Sequence, residues 1–287
     1  MNRLAALKTF LREAPWQLWT AQSVHILRTE LGRNFRQRRS VWLYLLAAAP
    51  VLLITGHSIE SPLGIDCSLD QDTRILAGIF QFYYLRLGIF FGCMGLFTWL
   101  FRGEIVQKSL HYYFLAPVRR EVLVVGKFLA GLATTGIFFG FSVLLSFALM
   151  YGHFGAPGVA YVMHGPGLGQ LLAYLGVTLL ACLGYGAIFV ALSLFIKNPI
   201  IPGMLVLIWE TTHPVFPALL QKFSVMFYLR QLCPVPVPPE GTQALFTIIV
   251  EPVSAWIAVP GLLCLTVLAL VVACLKIRKM EISYLAD

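Results

Sequence analysis

Two ionisable side chains, Arg86 and Glu210, stand within long apolar stretches of this sequence. An arginine at the centre of a bilayer costs about 3 kcal/mol on insertion scales, and it faces protein or water almost without exception. Arg86 could line a pathway or contact an anionic substrate group. It could also form a structural pair with Glu210 or with backbone carbonyls. Pairing is the usual remedy for a buried charge, so the sequence favours the structural interpretation.

The six cysteines show no spacing typical of metal ligands. Four of them lie in apolar stretches, where cysteine behaves as a small hydrophobic residue. Cys67 and Cys233 fall in segments that we expect outside the membrane, where an oxidising compartment would allow a disulfide between them. The histidines are scattered, and no nucleophile elbow is present. The sequence therefore predicts neither a catalytic site nor a metal site.

The composition of the chain indicates that most of it lies in lipid. Of 287 residues, 59% are hydrophobic and only 12% are charged, with a mean hydropathy of +0.80. A soluble globular domain carries about 25% charged residues. The net charge of +8 does not indicate a nucleic-acid partner, because eight basic residues fall within the first 39 positions, beside the first apolar segment. Basic residues in that position indicate topology and contact with anionic lipid.

A transmembrane helix needs about 20 apolar residues, and this requirement predicts an all-α membrane protein with six spans. The predicted spans are residues 41–56, 75–101, 122–151, 168–196, 200–220 and 255–275. Excess Lys and Arg mark cytoplasmic segments, which puts both termini inside the cell. The fifth span is interrupted by prolines, and such a discontinuous span survives only where protein or a water-filled cavity satisfies its backbone. We therefore expect a re-entrant outer helix pair there.

Residues 1–40 precede the first predicted span. Leucines, valine and phenylalanine recur at three- and four-residue spacing, with arginines between them, and Pro15 divides the segment. This periodicity predicts an amphipathic helix pair in the membrane interface, with Trp16 and Trp19 at headgroup depth. The alternative is a plain basic flank that only orients the first span.

The segment between the second and third spans, residues 102–127, carries five of the 21 Lys and Arg residues. It contains Tyr112, Tyr113 and Phe114 in succession, and Pro117 ends this short apolar piece because proline cannot continue a helix. The pattern predicts a short helix along the cytoplasmic surface. Its aromatic side chains would face either the lipid headgroups or a partner protein.

The same segment carries a family resemblance. Glu104, Lys108-Ser109-Leu110, Leu115-Ala116-Pro117-Val118-Arg119-Arg120 and Gly126-Lys127 together resemble the loop of ABC-2 type transporter permeases. In that family the loop holds a coupling helix that docks on the ATPase subunit. The resemblance thus implies a coupling role for nine residues: Glu104, Ser109, Leu110, His111, Tyr112, Tyr113, Phe114, Arg119 and Arg120.

The resemblance extends over the chain, with one departure in the loop. It implies an elbow region at 1–40, a transmembrane domain at 41–276 and a cytoplasmic tail at 277–287. Many family members have Gly-Thr-Leu-Glu where this chain has Lys108-Ser109-Leu110-His111.

The resemblance also implies the partners and the location of the chain. The sequence has no G-x-x-x-x-G-K-[ST] phosphate loop, so ATP and Mg²⁺ are expected on a separate ATPase subunit, with no cofactor on this chain. Pairing with a second copy or a similar permease is expected, in the cell membrane and in contact with lipid. Two alternatives are an ion-gradient-driven carrier, which would need an intramembrane acid such as Glu210, and an integral-membrane lipid-modifying enzyme.

Overall fold

The computed structural model describes residues 15–37, 40–60, 68–196, 198, 200–237 and 253–280, and this part of the chain is helical without strands. Residues 1–14 of the predicted elbow, the predicted tail beyond Met280, and Cys67 lie outside the described residues. The helices are α1 Trp16–Arg36, α2 Val41–Glu60, α3 Leu69–Val106, α4 Leu110–Leu115, α5 Arg120–Gly152, α6 Ala156–His164, α7 Gly167–Phe195, α8 Ile200–Thr212, α9 Ala218–Gln221, α10 Val225–Leu232 and α11 Ala255–Arg278.

Five described helices are long and apolar enough to cross a membrane, namely α2, α3, α5, α7 and α11. The predicted all-helical, multi-pass architecture is therefore confirmed at this level. These helices correspond to five of the six predicted spans. The remaining predicted span, 200–220, is divided among α8, a 3-10 turn at His213–Val215 and the four-residue α9. With 13 residues, α8 is about 20 Å long, against about 30 Å for a hydrocarbon core.

The bundle has two distinguishable ends. At one end, here called the loop end, α3 ends, α4 follows, and α5 begins. At the far end, fully buried Asp72 of α3 meets two histidines from neighbouring helices. Its carboxylate lies 3.3 Å from Nε2 of His57 and 3.4 Å from Nε2 of His153. These contacts join the far ends of α2, α3 and α5.

The helices α3, α5 and α7 form the centre of the bundle around Phe97. This side chain is fully buried, and its ring lies against Gly131 of α5 and Gly186 of α7. A Cβ added at Gly131 would lie 2.5 Å from the ring, and one at Gly186 would lie 2.6 Å away. Small residues at such contacts let helices approach closely in a membrane, where lipid supplies no hydrophobic driving force for their association.

The first prediction tests this contact. We expect Gly186→Ala to destabilise the bundle by about 1–3 kcal/mol, because the buried ring of Phe97 has no space into which to move. Gly176→Ala in the same helix is the matched control, since a Cβ there meets nothing within 4 Å. Thermal unfolding in detergent measures both variants. Equal melting temperatures for the two would contradict the close packing at Phe97, whereas recovery in Gly186→Ala with Phe97→Leu would support it.

The central helix α3 departs from regular α-helical geometry at Phe80–Gly88, which is a π-helix. This wider segment contains Arg86 and Tyr84. The Tyr84 hydroxyl lies 2.6 Å from Ser142 Oγ and 2.9 Å from Ser146 Oγ, so its polar group is satisfied within the core. Short π-helical segments inside helices occur frequently at functional sites, and this one positions Arg86 beside a cavity.

Candidate functional site

The turn between α3 and α4 has the hydrogen bonds of a Schellman motif. The Ser109 amide donates to the Glu104 carbonyl at 2.9 Å, and the Lys108 amide donates to the Ile105 carbonyl at 3.1 Å. This motif places one residue in the left-handed region, usually a glycine. Here Lys108 has φ 56°, a conformation that L side chains adopt at a cost. The turn ends α3 and directs the chain into α4.

The helix α4 exposes some of the predicted coupling residues and buries others. Tyr112 is 68% exposed and Leu115 is 80% exposed, whereas Leu110 is fully buried. Tyr113 and Phe114 are only partly exposed and lie against cations of the bundle. Of the three successive aromatic residues, only Tyr112 therefore presents most of its surface to the outside.

Beneath α4 lies a group of four charged side chains, here called the Lys127 cluster, of which three are buried and Arg33 is partly exposed. Its members are Lys127 of α5, Glu104 of α3, and Glu30 and Arg33 of α1. The Lys127 ammonium donates to Glu30 Oε1 and to Glu104 Oε1, each at 2.6 Å. Arg33 Nε lies 3.5 Å from Glu30 Oε2, and Arg33 Nη2 lies 3.5 Å from Glu104 Oε1. The cluster thus joins three helices and balances two acids with two bases.

Burial makes the Lys127 cluster a strong constraint. Lys127 has no exposed surface, and both carboxylate side chains are at most 2% exposed. Removing one partner of such a buried pair leaves an uncompensated charge and costs about 3–5 kcal/mol. The aromatic ring of Tyr113 covers the ammonium at 4.9 Å. Burial, together with the charge of Glu104, raises the pKa of Tyr113 to about 12, so its hydroxyl stays neutral.

The helix α1 is attached to the loop that contains α4 at two further points. The Gln22 side-chain amide donates to the Pro117 carbonyl at 3.2 Å. The Arg119 guanidinium lies over the ring of Trp19 at 4.7 Å, which is a cation–π distance. Together with the Lys127 cluster, these contacts attach α1 along the loop as well as along α5.

The C-terminal end of α11 is attached at the start of α5 by Arg120. Its Nη1 donates to the carbonyls of Ile277, Arg278 and Met280 at 2.9–3.2 Å. A cation is favourable here, because the last carbonyls of a helix lack intrahelical partners and carry partial negative charge. The ring of Phe114 lies 4.3 Å from the same guanidinium. The side chains of α4 therefore contact α5, and Arg120 connects them to the end of α11.

The second prediction tests the Lys127 cluster. Lys127→Met should lower the yield and melting temperature of the folded chain, because Glu30 and Glu104 lose their shared cation in a buried site. Adding Glu104→Gln to this variant should restore part of the loss. Lys222→Met, at an exposed lysine, is the control and should be neutral. Size-exclusion yield and thermal unfolding provide the measurements, and a melting temperature of Lys127→Met equal to that of the control would contradict the assignment.

The other ionisable residue predicted within a span is Glu210, near the C-terminal end of α8. Its carboxylate lies at the N-terminus of α10. Its Oε2 accepts hydrogen bonds from Ser224 Oγ at 2.7 Å and from the Met226 amide at 2.8 Å. Its Oε1 accepts from the Val225 amide at 3.1 Å, and the Tyr185 hydroxyl donates to Oε2 at 3.5 Å. The carboxylate thus satisfies the free amides at a helix N-terminus, where the helix dipole also favours negative charge.

The expected pair of Arg86 and Glu210 is not formed. Within the described parts of the chain, Glu210 has no salt bridge with Arg86, because its oxygens are occupied by the start of α10. Arg86 instead faces a cavity, and its Nε is buried without a hydrogen-bond partner among those residues. The Cys67–Cys233 disulfide stays a prediction, since Cys67 lies outside the described residues. Burial raises the pKa of the Cys233 thiol to about 12, which keeps it protonated.

The third prediction tests whether the Glu210 carboxylate interacts with the start of α10 or with Arg86. Glu210→Gln should lower the free energy of unfolding by about 1–3 kcal/mol, because an amide offers only one acceptor oxygen to the start of α10. Combined with Ser224→Ala, its effect should be non-additive, since the two side chains are in contact. Combined with Arg86→Met, its effect should be additive within about 0.5 kcal/mol. Denaturant titration in micelles measures the cycles, and a large coupling with Arg86 would reinstate the ion pair.

Sequence reasoning missed the Lys127 cluster, although one signal was present. Lys127 lies inside the predicted span 122–151, so the rule that singled out Arg86 applies equally to it. Glu30 and Arg33 gave no comparable signal, because charged residues on an amphipathic helix are usually solvated. The packing of α1 on α5 buries Glu30 and leaves Arg33 partly exposed at the edge of the cluster.

Comparison of the chain with protein-family models and with curated proteins finds no match. The functional argument therefore depends on the residues and contacts described above.

Proposed function

We propose that this chain is the membrane subunit of an ABC-2 type exporter and that α4 is its coupling helix. The observation that carries the proposal is the division of α4 into two faces. Tyr112 and Leu115 have most of their surface exposed, while Tyr113 and Phe114 contact two cations in the first turns of α5. A helix with an exposed apolar face and an anchored inner face suits a docking element.

The backbone at Lys108 supports the family resemblance. In the pattern that many members follow, the position of Lys108 is a glycine, and the turn here requires a left-handed residue at that position. The chain thus retains the backbone geometry that a glycine would provide while departing from the residue type.

The contacts of the loop provide a route for mechanical coupling. A force on Tyr112 would act on α4, whose inner side chains contact Lys127 and Arg120 of α5. Arg120 holds the end of α11, and the Lys127 cluster holds α1 and α3. Rigid helices joined by buried charges transmit displacement over a distance, because separating the charges is unfavourable.

The proposed topology has six membrane-embedded elements. The sixth is the broken segment of α8, α9 and α10, which would form the re-entrant outer pair, and α1 would be the elbow helix. The loop end would face the cytoplasm together with both termini, in agreement with the basic residues there. Two such chains, or one with a similar permease, would form the transporter, and a separate ATPase would bind ATP and Mg²⁺.

The alternative of an ion-gradient-driven carrier requires an acid that can bind and release the coupling ion. Glu210 was the candidate for this role. Its carboxylate accepts hydrogen bonds from two backbone amides and the Ser224 hydroxyl, and these bonds support a structural role. This observation favours the exporter subunit over the carrier.

The fourth prediction tests the docking face of α4. The chain is co-expressed with any ABC ATPase that a search of the neighbouring genes finds, and it is purified by a tag on the chain. Tyr112→Ala and Leu115→Ala should each reduce recovery of the ATPase, since an exposed apolar anchor often contributes about 2 kcal/mol to binding. A loss of that size weakens association roughly thirtyfold. ATP hydrolysis by the complex should fall, while hydrolysis by the isolated ATPase stays unchanged.

Trp256→Ala is the matched control for this experiment. Trp256 is 91% exposed and lies at the start of α11, away from the loop end. Its removal should leave recovery of the ATPase unchanged. Undiminished recovery with both α4 variants, or an equal loss with Trp256→Ala, would remove the coupling assignment from α4.

A further inference from the structure

A cavity of about 1000 Å³ lies beside the π-helical segment of α3. Its polar part includes Arg86 of α3 and Arg230 of α10, and its apolar wall includes Leu53 of α2, Phe82 of α3 and Val235 after α10. The guanidinium of Arg74 and the carboxylate of Asp70 also line it, so the lining combines three arginines and one acid with apolar side chains. Neither the coupling helix nor the Lys127 cluster contributes to it.

The position of Arg86 along α3 gives the depth of this cavity. Arg86 lies sixteen residues from Arg102, near the loop end, which corresponds to roughly 24 Å of helix. A hydrocarbon core is about 30 Å thick. If Arg102 lies at the membrane surface of the loop end, Arg86 lies in the half of the membrane that is remote from the loop. A charged group at this depth is stabilised by a partner or by water in a cavity.

Two of the three arginines that line the cavity have no such partner. Arg74 forms an ion pair with Asp70 at 2.8 Å, at an exposed position. The guanidinium groups of Arg86 and Arg230, by contrast, form no ion pair and no hydrogen bond with the residues that the structure describes. The Nε atom of each is buried. Two uncompensated guanidinium groups that line one cavity repel each other. An anion bound there would remove both the repulsion and the unsatisfied donors.

We propose that this cavity binds an amphiphile with a phosphate headgroup and an apolar chain. A guanidinium presents paired donors that match phosphate oxygens, which a point charge does not. Leu53 and Phe82 are each 62% exposed, so a chain held by the apolar wall would leave the cavity past them into the surrounding lipid. The inference does not depend on the proposed exporter function, because binding is measured without a partner subunit and without ATP.

The test is a direct binding measurement on the purified chain. Immobilised protein in dodecyl maltoside, which supplies an uncharged amphiphile with the same chain in excess, is titrated with radiolabelled dodecyl phosphate. Inorganic phosphate is added in parallel as the free-anion competitor. We expect saturable binding of dodecyl phosphate that inorganic phosphate at equal concentration does not displace. Arg86→Gln and Arg230→Gln should each weaken binding at least about tenfold, as expected for loss of a charge-assisted hydrogen bond.

Arg74→Gln is the matched control, since Arg74 lines the same cavity but is paired with Asp70. It should change the affinity by less than about twofold. An equal loss with Arg74→Gln would show diffuse charge attraction and overturn the site, as would the absence of saturable binding. Displacement of dodecyl phosphate by inorganic phosphate would overturn the proposal of an amphiphile and indicate that the cavity binds a free anion.

Melting temperatures report whether each variant folds. Should Arg86→Gln fail to fold, Arg86→Lys keeps the charge but lacks the paired donors of a guanidinium. Weaker binding by the lysine variant supports the site, and unchanged affinity overturns it.

Discussion

The burial of the Lys127 ammonium between the carboxylates of Glu30 and Glu104 is the constraint on which the loop end depends. Each of these groups would be costly to bury alone, so α1, α3 and α5 must arrive together for any of them to be buried. The sequence separations of 97 and 23 residues show that this is a tertiary interaction and not a local one. Once the three helices meet, the turn at Lys108 and the position of α4 follow, since Glu104 contributes both its side chain to the cluster and its carbonyl to the turn.

The two halves of the bundle treat positive charge differently. At the loop end, Lys127 is neutralised by carboxylates and Arg120 by helix-terminal carbonyls, so the charges there hold helices together. In the remote half, Arg86 and Arg230 line a cavity without a partner in the described parts of the chain. Internally compensated charges build a scaffold, whereas uncompensated charges in a low-dielectric cavity attract an external anion. The proposed coupling and the proposed binding of an amphiphile would therefore lie in different halves of the bundle.

The sequence predicts the elements better than it predicts their contacts. Long apolar runs identify five helices, and Pro117 with the aromatic run identifies α4, because both signals are local. The cluster around Lys127 requires knowing which face of α1 packs on α5, and an amphipathic pattern alone does not specify this. The left-handed conformation of Lys108 could not be predicted from the sequence for another reason. Such a turn is usually indicated by a glycine, and this position holds a lysine.

The failure of the Arg86–Glu210 prediction has a physical cause in the break after α8. A helix that starts inside a packed bundle has free backbone amides at its N-terminus, and these need buried acceptors. Glu210 supplies these acceptors to Val225 and Met226, and the start of α10 in turn stabilises its negative charge. Arg86 was the expected partner because ionisable side chains can be identified in the sequence. The N-terminus of a helix that starts after a break cannot be located in the same way. Since the carboxylate is occupied by α10, the Arg86 guanidinium has no acidic partner among the residues that the structure describes, and it adds positive charge to the lining of the neighbouring cavity.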